Sequence, residues 1–452
     1  MVGRQPAHCS LLKAHNSQLT AQNIITLLHY KRSDTIFFVE MKKMCNFAST
    51  MGRILEYINS HNESGFKCYS TQKMSLDDIT TDTISSENSD TDTVPMDTKG
   101  TFAEDDCRQV NTIKISQNLI NTTPPYFKYF LDGSRRTYKV DDIAIGNKIF
   151  PIVAGQMVVG CCYRPDRDTF KKADLDGNNA IRKKIIISLP KQFHTKGKYE
   201  DFARLYCEKI NKDVLNSNNF ASSRGVKLGK ILFYKTDGPT VADETDKNRY
   251  KNSAIAQIQN EMTDEEQLLV NDLCMANKLS ADSWLIKDGS LQYNPRFSNI
   301  DQAQWNNMRA NYEYVVGVSK SFDPDLLKNH ESKKLSQIIA SLKPFERTKA
   351  YKYISQHSNG MTFAVWYLRL RNSNFRETHF SDIVKCEMLL LNPQTPISTS
   401  TIDAISANLI REAYPVCFGA DTRWANHLYP IYLTETFCKS HYIDNNIFLS
   451  LF

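Results

Sequence analysis

Long apolar runs are missing from this 452-residue chain. No stretch approaches the roughly 18 apolar residues needed to cross a bilayer, and the opening Met-Val-Gly-Arg-Gln-Pro lacks the hydrophobic stretch of a secretory leader. The expectation is a protein kept in the cytoplasm, without a membrane anchor. Eleven cysteines are present, yet there is no Cys-x-x-Cys pair and no His/Cys spacing of a structural zinc site. An odd number cannot all pair within one chain, so reduced thiols are expected, with Cys161-Cys162 and Cys274 as small core residues. Internal repeats and heptads are absent too, which excludes solenoids and coiled coils. Nor is one sign of charge dominant: 56 Lys+Arg against 50 Asp+Glu leave a net +6, too slight to name a polyanionic partner. The basic residues do gather locally, at Arg135-Arg136, Lys171-Lys172 and Arg182-Lys183-Lys184.

What is abundant is core material, 41% hydrophobic and 11% aromatic residues. That suits one large domain with insertions. Residues 70–106 are rich in Ser, Thr and Asp and poor in large apolar side chains, and such a segment cannot offset its ordering entropy. We therefore expect a small N-terminal region of unknown role over 1–69, poorly ordered, then a disordered acidic linker over 70–106 and the main domain over 107–452. Within that domain, residues 126–131 read as a buried strand that stops at Asp132-Gly133. Strands over 149–159 and 185–189 follow, and three strands in succession favour an antiparallel meander. Helix and strand then alternate: helix 199–211, strand 231–234, long helix 252–277, strand 283–287, strand 314–320, helix 335–342, strands 363–370 and 388–391, helix 402–413, and a final amphipathic segment over 432–442. The class is α/β, a mixed β-sheet flanked by helices.

Two distant segments repeat one design, in which an apolar strand delivers an aspartate followed by Gly and Ser: Leu131-Asp132-Gly133-Ser134 and Lys287-Asp288-Gly289-Ser290. Asp-Gly-Ser alone is ordinary turn chemistry. Two copies on strand ends of one sheet can bring carboxylates together, and such groups repel unless a divalent cation lies between them. Mg²⁺ or Mn²⁺ held that way can activate water against a phosphodiester. A third carboxylate is expected from the long helix, where Ile255, Ile258, Met262, Glu266, Leu269 and Leu273 share one stripe. Glu266 on an apolar face needs a partner. The competing reading is a capping box in Thr263-Asp264-Glu265-Glu266, and Glu261 and Glu265 are the substitutes. Arg369 and Arg371 alternate with Trp366 and Leu370 at strand period, so both would face a nucleic-acid backbone or an open sheet face.

Four blocks in order, Tyr129-Phe130-Leu131-Asp132-Gly133-Ser134, Leu285-Ile286-Lys287-Asp288-Gly289-Ser290-Leu291, Val316-Gly317-Val318-Ser319-Lys320-Ser321 and Pro430-Ile431-Tyr432-Leu433, resemble the NurA nucleases. The resemblance spans most of residues 125–452. It implies an RNase H-like core and a DNA nuclease, usually manganese-dependent, acting as a homodimer with a HerA-type hexameric ATPase in DNA end processing or defence. Carried over by residue, it makes Asp132 and Asp288 the metal-binding aspartates and Glu266 the helix carboxylate, and sets Lys320 near the site to meet a phosphate; apart from the resemblance, the basic pair Arg135-Arg136 stands beside Asp132 in the sequence and is a further expected nucleic-acid contact. The family's histidine after the Pro-x-x-Leu block is missing: Leu433-Thr434-Glu435-Thr436 stands there. Glu435 is the expected replacement, with His427 and His441 as alternatives. Two rival readings stay open, a catalytically inactive RNase H-like scaffold that binds nucleic acid for an ATPase partner, and an enzyme acting on RNA.

Overall fold

The computed structural model describes residues 53–61, 66–76, 102–105, 110–194, 198–216, 221, 225–236, 248–292, 302–324, 335–355, 361–372, 378–417 and 422–452. The helices among them are α1 (Arg53–Ser60), α2 (Gln117–Thr122), α3 (Tyr199–Ile210), α4 (Arg249–Met275), α5 (Gln302–Ala310), α6 (Leu335–Ser341), α7 (Thr399–Glu412), α8 (Tyr429–Lys439) and α9 (Asn445–Leu449). The strands are β1 (Lys67–Tyr69), β2 (Met74–Ser75), β3 (Thr112–Lys114), β4 (Phe127–Ile145), β5 (Lys148–Tyr163), β6 (Lys171–Lys172), β7 (Ile181–Pro190), β8 (Leu228–Tyr234), β9 (Trp284–Asp288), β10 (Val315–Ser319), β11 (Glu346–Thr348), β12 (Tyr351–Ser355), β13 (Met361–Arg369) and β14 (Ile383–Leu389).

One mixed sheet runs in the order β3-β11-β13-β14-β10-β9-β4-β5-β7-β8. At its centre β4, β9 and β10 are parallel, with Leu131 opposite Lys287 and Val318 opposite Asp288. On one side β4, β5 and β7 form the expected antiparallel meander. The β4–β5 turn is two residues long because Gly146 accepts a φ of +58°. On the other side β10, β14 and β13 are antiparallel. Parallel strands need crossovers, and α4 supplies the one between β8 and β9.

The sheet divides the apolar interior. Tyr129, Leu131, Leu285 and Val315 pack with Ile255, Ile258, Met262, Leu269 and Leu273 of α4 on one face. Phe130, Ile286, Val316 and Val318 pack with Ile402, Ile405 and Leu409 of α7 and Ile431 of α8 on the other. Each of these aliphatic side chains contributes roughly 1.5–3 kcal/mol by leaving water. Covering both faces explains why β5 and β13 read as almost continuous apolar runs rather than alternating ones. The long helix ends where Asn277 takes a left-handed φ of 50° and Lys278 N–H returns to the Leu273 carbonyl.

Several sequence expectations need correction. Of the linker expected over 70–106, residues 74–75 form β2 on β4, and Phe102 and Glu104 bridge to Tyr351 and Ile397; residues 77–101 and 106–109 lie outside the described residues, as do 1–52. Helix α1, from the expected N-terminal region, buries Ile54, Leu55 and Ile58 in the main core. The first strand does not stop at Asp132-Gly133 but continues to Ile145. Helix α4 is unbroken and Thr263 Oγ1 donates to the Gln259 carbonyl, so no capping box restarts it.

Candidate carboxylate site

Asp132 and Asp288 meet because β4 and β9 are adjacent and parallel. Leu131 pairs with Lys287, so the next residue on each strand projects to the opposite face, the α7/α8 side. Neighbouring strands lie about 4.8 Å apart, which makes the two carboxyls first neighbours. Only Asp288 ends its strand; there Gly289, at φ +82°, turns the chain. Asp132 lies within β4, as its sixth residue, and it lines the site because β9 ends beside it.

Asp132 is buried, at 4% exposure, and its Oδ2 has no hydrogen-bond partner. Burial first, then the negative charges of Asp288, Glu435 and Glu266, hold its carboxyl well above the usual carboxylate range, while Lys320 opposes them. Lys320 lies one residue beyond β10, with Nζ 2.9 Å from Asp288 Oδ2 and 3.9 Å from Glu435 Oε2. Burial alone would depress its ammonium, but Asp288, Asp132 and Glu435 together raise it above the ordinary lysine value. Glu435 comes from α8 and also pairs with Lys439 at 2.7 Å. The helix sits tightly on the sheet: a Cβ on Gly160, opposite Asp132, would lie 2.7 Å from Cys438 Sγ.

Glu266 belongs to the other face. It rises from α4 under Gly133, where a Cβ would fall 2.5 Å from its Oε1, so this glycine serves close approach rather than a turn. Its carboxylate pairs with Lys287 Nζ at 2.7 Å. Burial raises its carboxyl, Lys287 lowers it, and Asp288 adds a further upward push; the net shift is up. Glu261 and Glu265, the substitutes, are spent on a separate network with Lys184, Lys230 and Arg182. His427 is buried beside Tyr432, and the His441 ring bonds the Phe437 carbonyl.

The proposed nucleic-acid contacts fare unevenly. Arg369 is fully buried and donates to the Ser381, Ala340 and His379 carbonyls, while Arg371 is 3% exposed and donates to Ala413 and His427 carbonyls. The strand ends at Arg369, Arg371 lies two residues beyond it against a different layer, and both side chains are covered, so neither guanidinium meets a phosphate. Arg135 turns to Gln259 at 2.8 Å, and Arg136 to Asn445 at 3.1 Å and over the Tyr442 ring. Lys320 joins the carboxylates instead of standing free.

Sequence reasoning missed the support under the 288–292 turn. Glu387 of β14 is fully buried and accepts from Ser290 Oγ at 2.8 Å, Leu291 N–H at 2.7 Å and Gln292 Nε2 at 2.9 Å, and it pairs with Lys385 at 2.5 Å. Burial alone would raise this carboxyl; Lys385, the Leu291 N–H and the Ser290 hydroxyl bring it below the ordinary range. The signal was present: Lys385 and Glu387, two apart in the apolar run Ile383–Leu389, must share a buried face and so must pair. Lys287 inside Leu285-Ile286-Lys287-Asp288 carries the same message.

Oxygen donors of this kind suit hard divalent cations, and the unpartnered Asp132 oxygen is the kind of atom such an ion satisfies. Even so, among the described residues no three His, Cys, Asp or Glu side chains converge closely enough to hold a metal ion as they stand. Ammonium groups stand among them instead, Lys320 against Asp288 and Glu435, and Lys439 against Glu435. No helix described is long and apolar enough to cross a membrane.

No family model and no curated protein matches the sequence. Among solved structures, the NurA nuclease from Sulfolobus solfataricus aligns over 72% of this chain and 84% of its own, with 11% identity and a TM-score of 0.33. A likeness of that size is too slight to decide fold family or activity.

Proposed function

We propose that this chain is a metal-dependent nuclease with an RNase H-like core, hydrolysing DNA phosphodiester bonds at Asp132, Asp288 and Glu435. The observation that carries the reading is the buried Asp132 carboxyl, one oxygen unpartnered, beside Asp288 on the adjoining parallel strand and within the field of Glu435. Structural carboxylates are normally hydrogen-bonded or ion-paired when buried; an arrangement that leaves one bare beside others is costly and is typical of functional sites. The order β7-β5-β4-β9-β10, three antiparallel strands then two parallel ones, supports the RNase H-like part of the reading.

A bound Mn²⁺ or Mg²⁺ would supply polarisation of the phosphate and a more acidic attacking water. Asp132, Asp288 and Glu435 would hold it. Glu266, one layer below, pins Lys287 and adds negative potential without facing the same side. Lys320 balances the carboxylates meanwhile and, once displaced from Asp288, is placed to pair with a phosphate oxygen. The resemblance of the four sequence blocks to NurA nucleases extends the proposal to a homodimer working with a HerA-type ATPase.

The test is cleavage of labelled single- and double-stranded DNA and RNA with Mn²⁺, Mg²⁺ or EDTA, beside Asp132→Asn. Cleavage that needs both the metal and Asp132 supports the reading. The second reading, a nucleic-acid-binding scaffold, is favoured by Lys320 standing among the carboxylates; binding without cleavage in every condition would select it.

A further inference from the structure

Lys287 is 3% exposed in the otherwise apolar part of β9, and its side chain turns to α4 while that of Asp288, the next residue, turns to the carboxylate site. An aliphatic side chain would fill the position without the cost of desolvating a charge, so the contacts of the ammonium decide what the lysine is for. Lysine has three N–H donors, and three acceptors surround this one: Glu266 Oε2 at 2.7 Å, the Asp288 carbonyl at 3.0 Å and the Ser290 carbonyl at 3.3 Å. Glu266 comes from α4, under Gly133, on the face away from Asp132 and Asp288, and it reaches the turn through Lys287.

The two carbonyls bracket Gly289, whose φ of +82° turns the chain out of the strand. Glycine is the most permissive residue, so this turn does not fix its own shape. It is fastened from outside by charges of opposite sign. Lys287 takes the two carbonyls, while Glu387 takes the Ser290 hydroxyl and the Leu291 N–H. Gly289 N–H adds one bond to the Val318 carbonyl at 2.9 Å. Asp288 needs the fastening because pairing on its β4 side has ended one residue earlier, with Lys287 opposite Leu131. Peptide groups are planar, so tying the Asp288 carbonyl to Nζ fixes the plane that follows its Cα. That sets the direction in which the carboxylate leaves the sheet, toward Lys320 Nζ at 2.9 Å.

We propose that Lys287 is the positioning residue of Asp288, and that Glu266 serves the site by holding this ammonium rather than by binding the metal ion itself. The inference rests on the nuclease reading for its effect on Mn²⁺, but not for the fastening of the turn. The test compares the full-length parent, Lys287→Met, and Lys287→Met together with Glu266→Met. Glu266 left alone can neutralise itself by taking a proton, and the double change replaces a buried ion pair by apolar side chains, which folded proteins commonly tolerate. Mn²⁺ binding is followed by the free-ion electron paramagnetic resonance signal, and hydrogen exchange at residues 289–292 is followed without metal. Loss of a group that orients metal ligands costs about 10–100-fold in affinity. Both variants should show that loss to the same extent, with faster exchange in the turn, because the second change removes only what the first has already disabled. Unchanged Mn²⁺ affinity and exchange in folded Lys287→Met, even with a lowered melting temperature, would mean a merely structural pair and overturn the proposal. A further loss of about tenfold or more on adding Glu266→Met would mark Glu266 as a direct ligand and overturn it too. A parent that neither binds Mn²⁺ nor cleaves removes the nuclease reading alone. The metal-free exchange then decides: faster in both variants, it upholds the positioning of Asp288; unchanged, it overturns it.

Discussion

Replacing Glu387 by Ala should reveal how the Asp288 turn is held. In the folded protein this carboxylate is fully buried, meets Lys385 Nζ at 2.5 Å and collects three donors from residues 290–292. Its removal strands the Lys385 ammonium, whose side chain is 8% exposed, in an apolar layer. Breaking one member of a buried ion pair typically costs about 3–5 kcal/mol, against a total stability of about 5–15 kcal/mol. The orphaned Leu291 N–H pushes the cost toward the upper end. At about 2 °C per kcal/mol for a large domain, the melting temperature should fall by about 6–10 °C. Glu387→Gln keeps an acceptor and the shape but not the charge, and should fall between the two. Calorimetry gives the melting shift, and hydrogen exchange at residues 289–292 should accelerate in proportion, because the Leu291 amide loses its acceptor. A Glu387→Ala protein that melts within about 1 kcal/mol of the parent, with unchanged exchange in that turn, would refute the account of the clamp.

Other outcomes follow from the same geometry. Asp132→Asn should abolish the proposed cleavage yet raise the melting temperature at pH 8: the carboxyl is held above its unfolded value near 3.9, so the stability of its protonated form is full below that value and lost as pH rises through the folded one. The gain should shrink on acidification; a gain independent of pH would contradict the burial argument. Lys320→Met should destabilise at pH 7–8, because a raised ammonium contributes stability below its unfolded value, and Mn²⁺ should restore more melting temperature to this variant than to the parent. Equal Mn²⁺ shifts in the two proteins would mean that Lys320 and the ion do not compete. Gly133→Ala should cost about 1–3 kcal/mol by driving a methyl against Glu266 and Met262, read by denaturant titration; a neutral result would show that Glu266 can retreat without leaving Lys287.

The linear sequence determined the local matters. Apolar periodicity placed the meander, the long helix α4 and the strand leading to Asp288, since side-chain spacing along one element is a property of neighbours in the chain. It also brought Asp132, Asp288 and Glu435 forward as candidates, and the structure sets all three in one electrostatic neighbourhood. What required the tertiary structure was every question of which face meets which. Arg369 and Arg371 have strand spacing whether a face is open or covered, and only the packing around each side chain buried them. Glu266 sits on the apolar stripe in either case, but the pairing of Leu131 with Lys287 sends Asp132 and Asp288 to the side opposite α4. Gly133 in a turn and Gly133 under a carboxylate are spelled alike; the oxygen of a helix more than a hundred residues later decides between them. Partners distant in sequence, such as Glu387 for the Ser290 turn, are chosen by strand order, and strand order is set by the energy of the whole sheet rather than by any one segment of it.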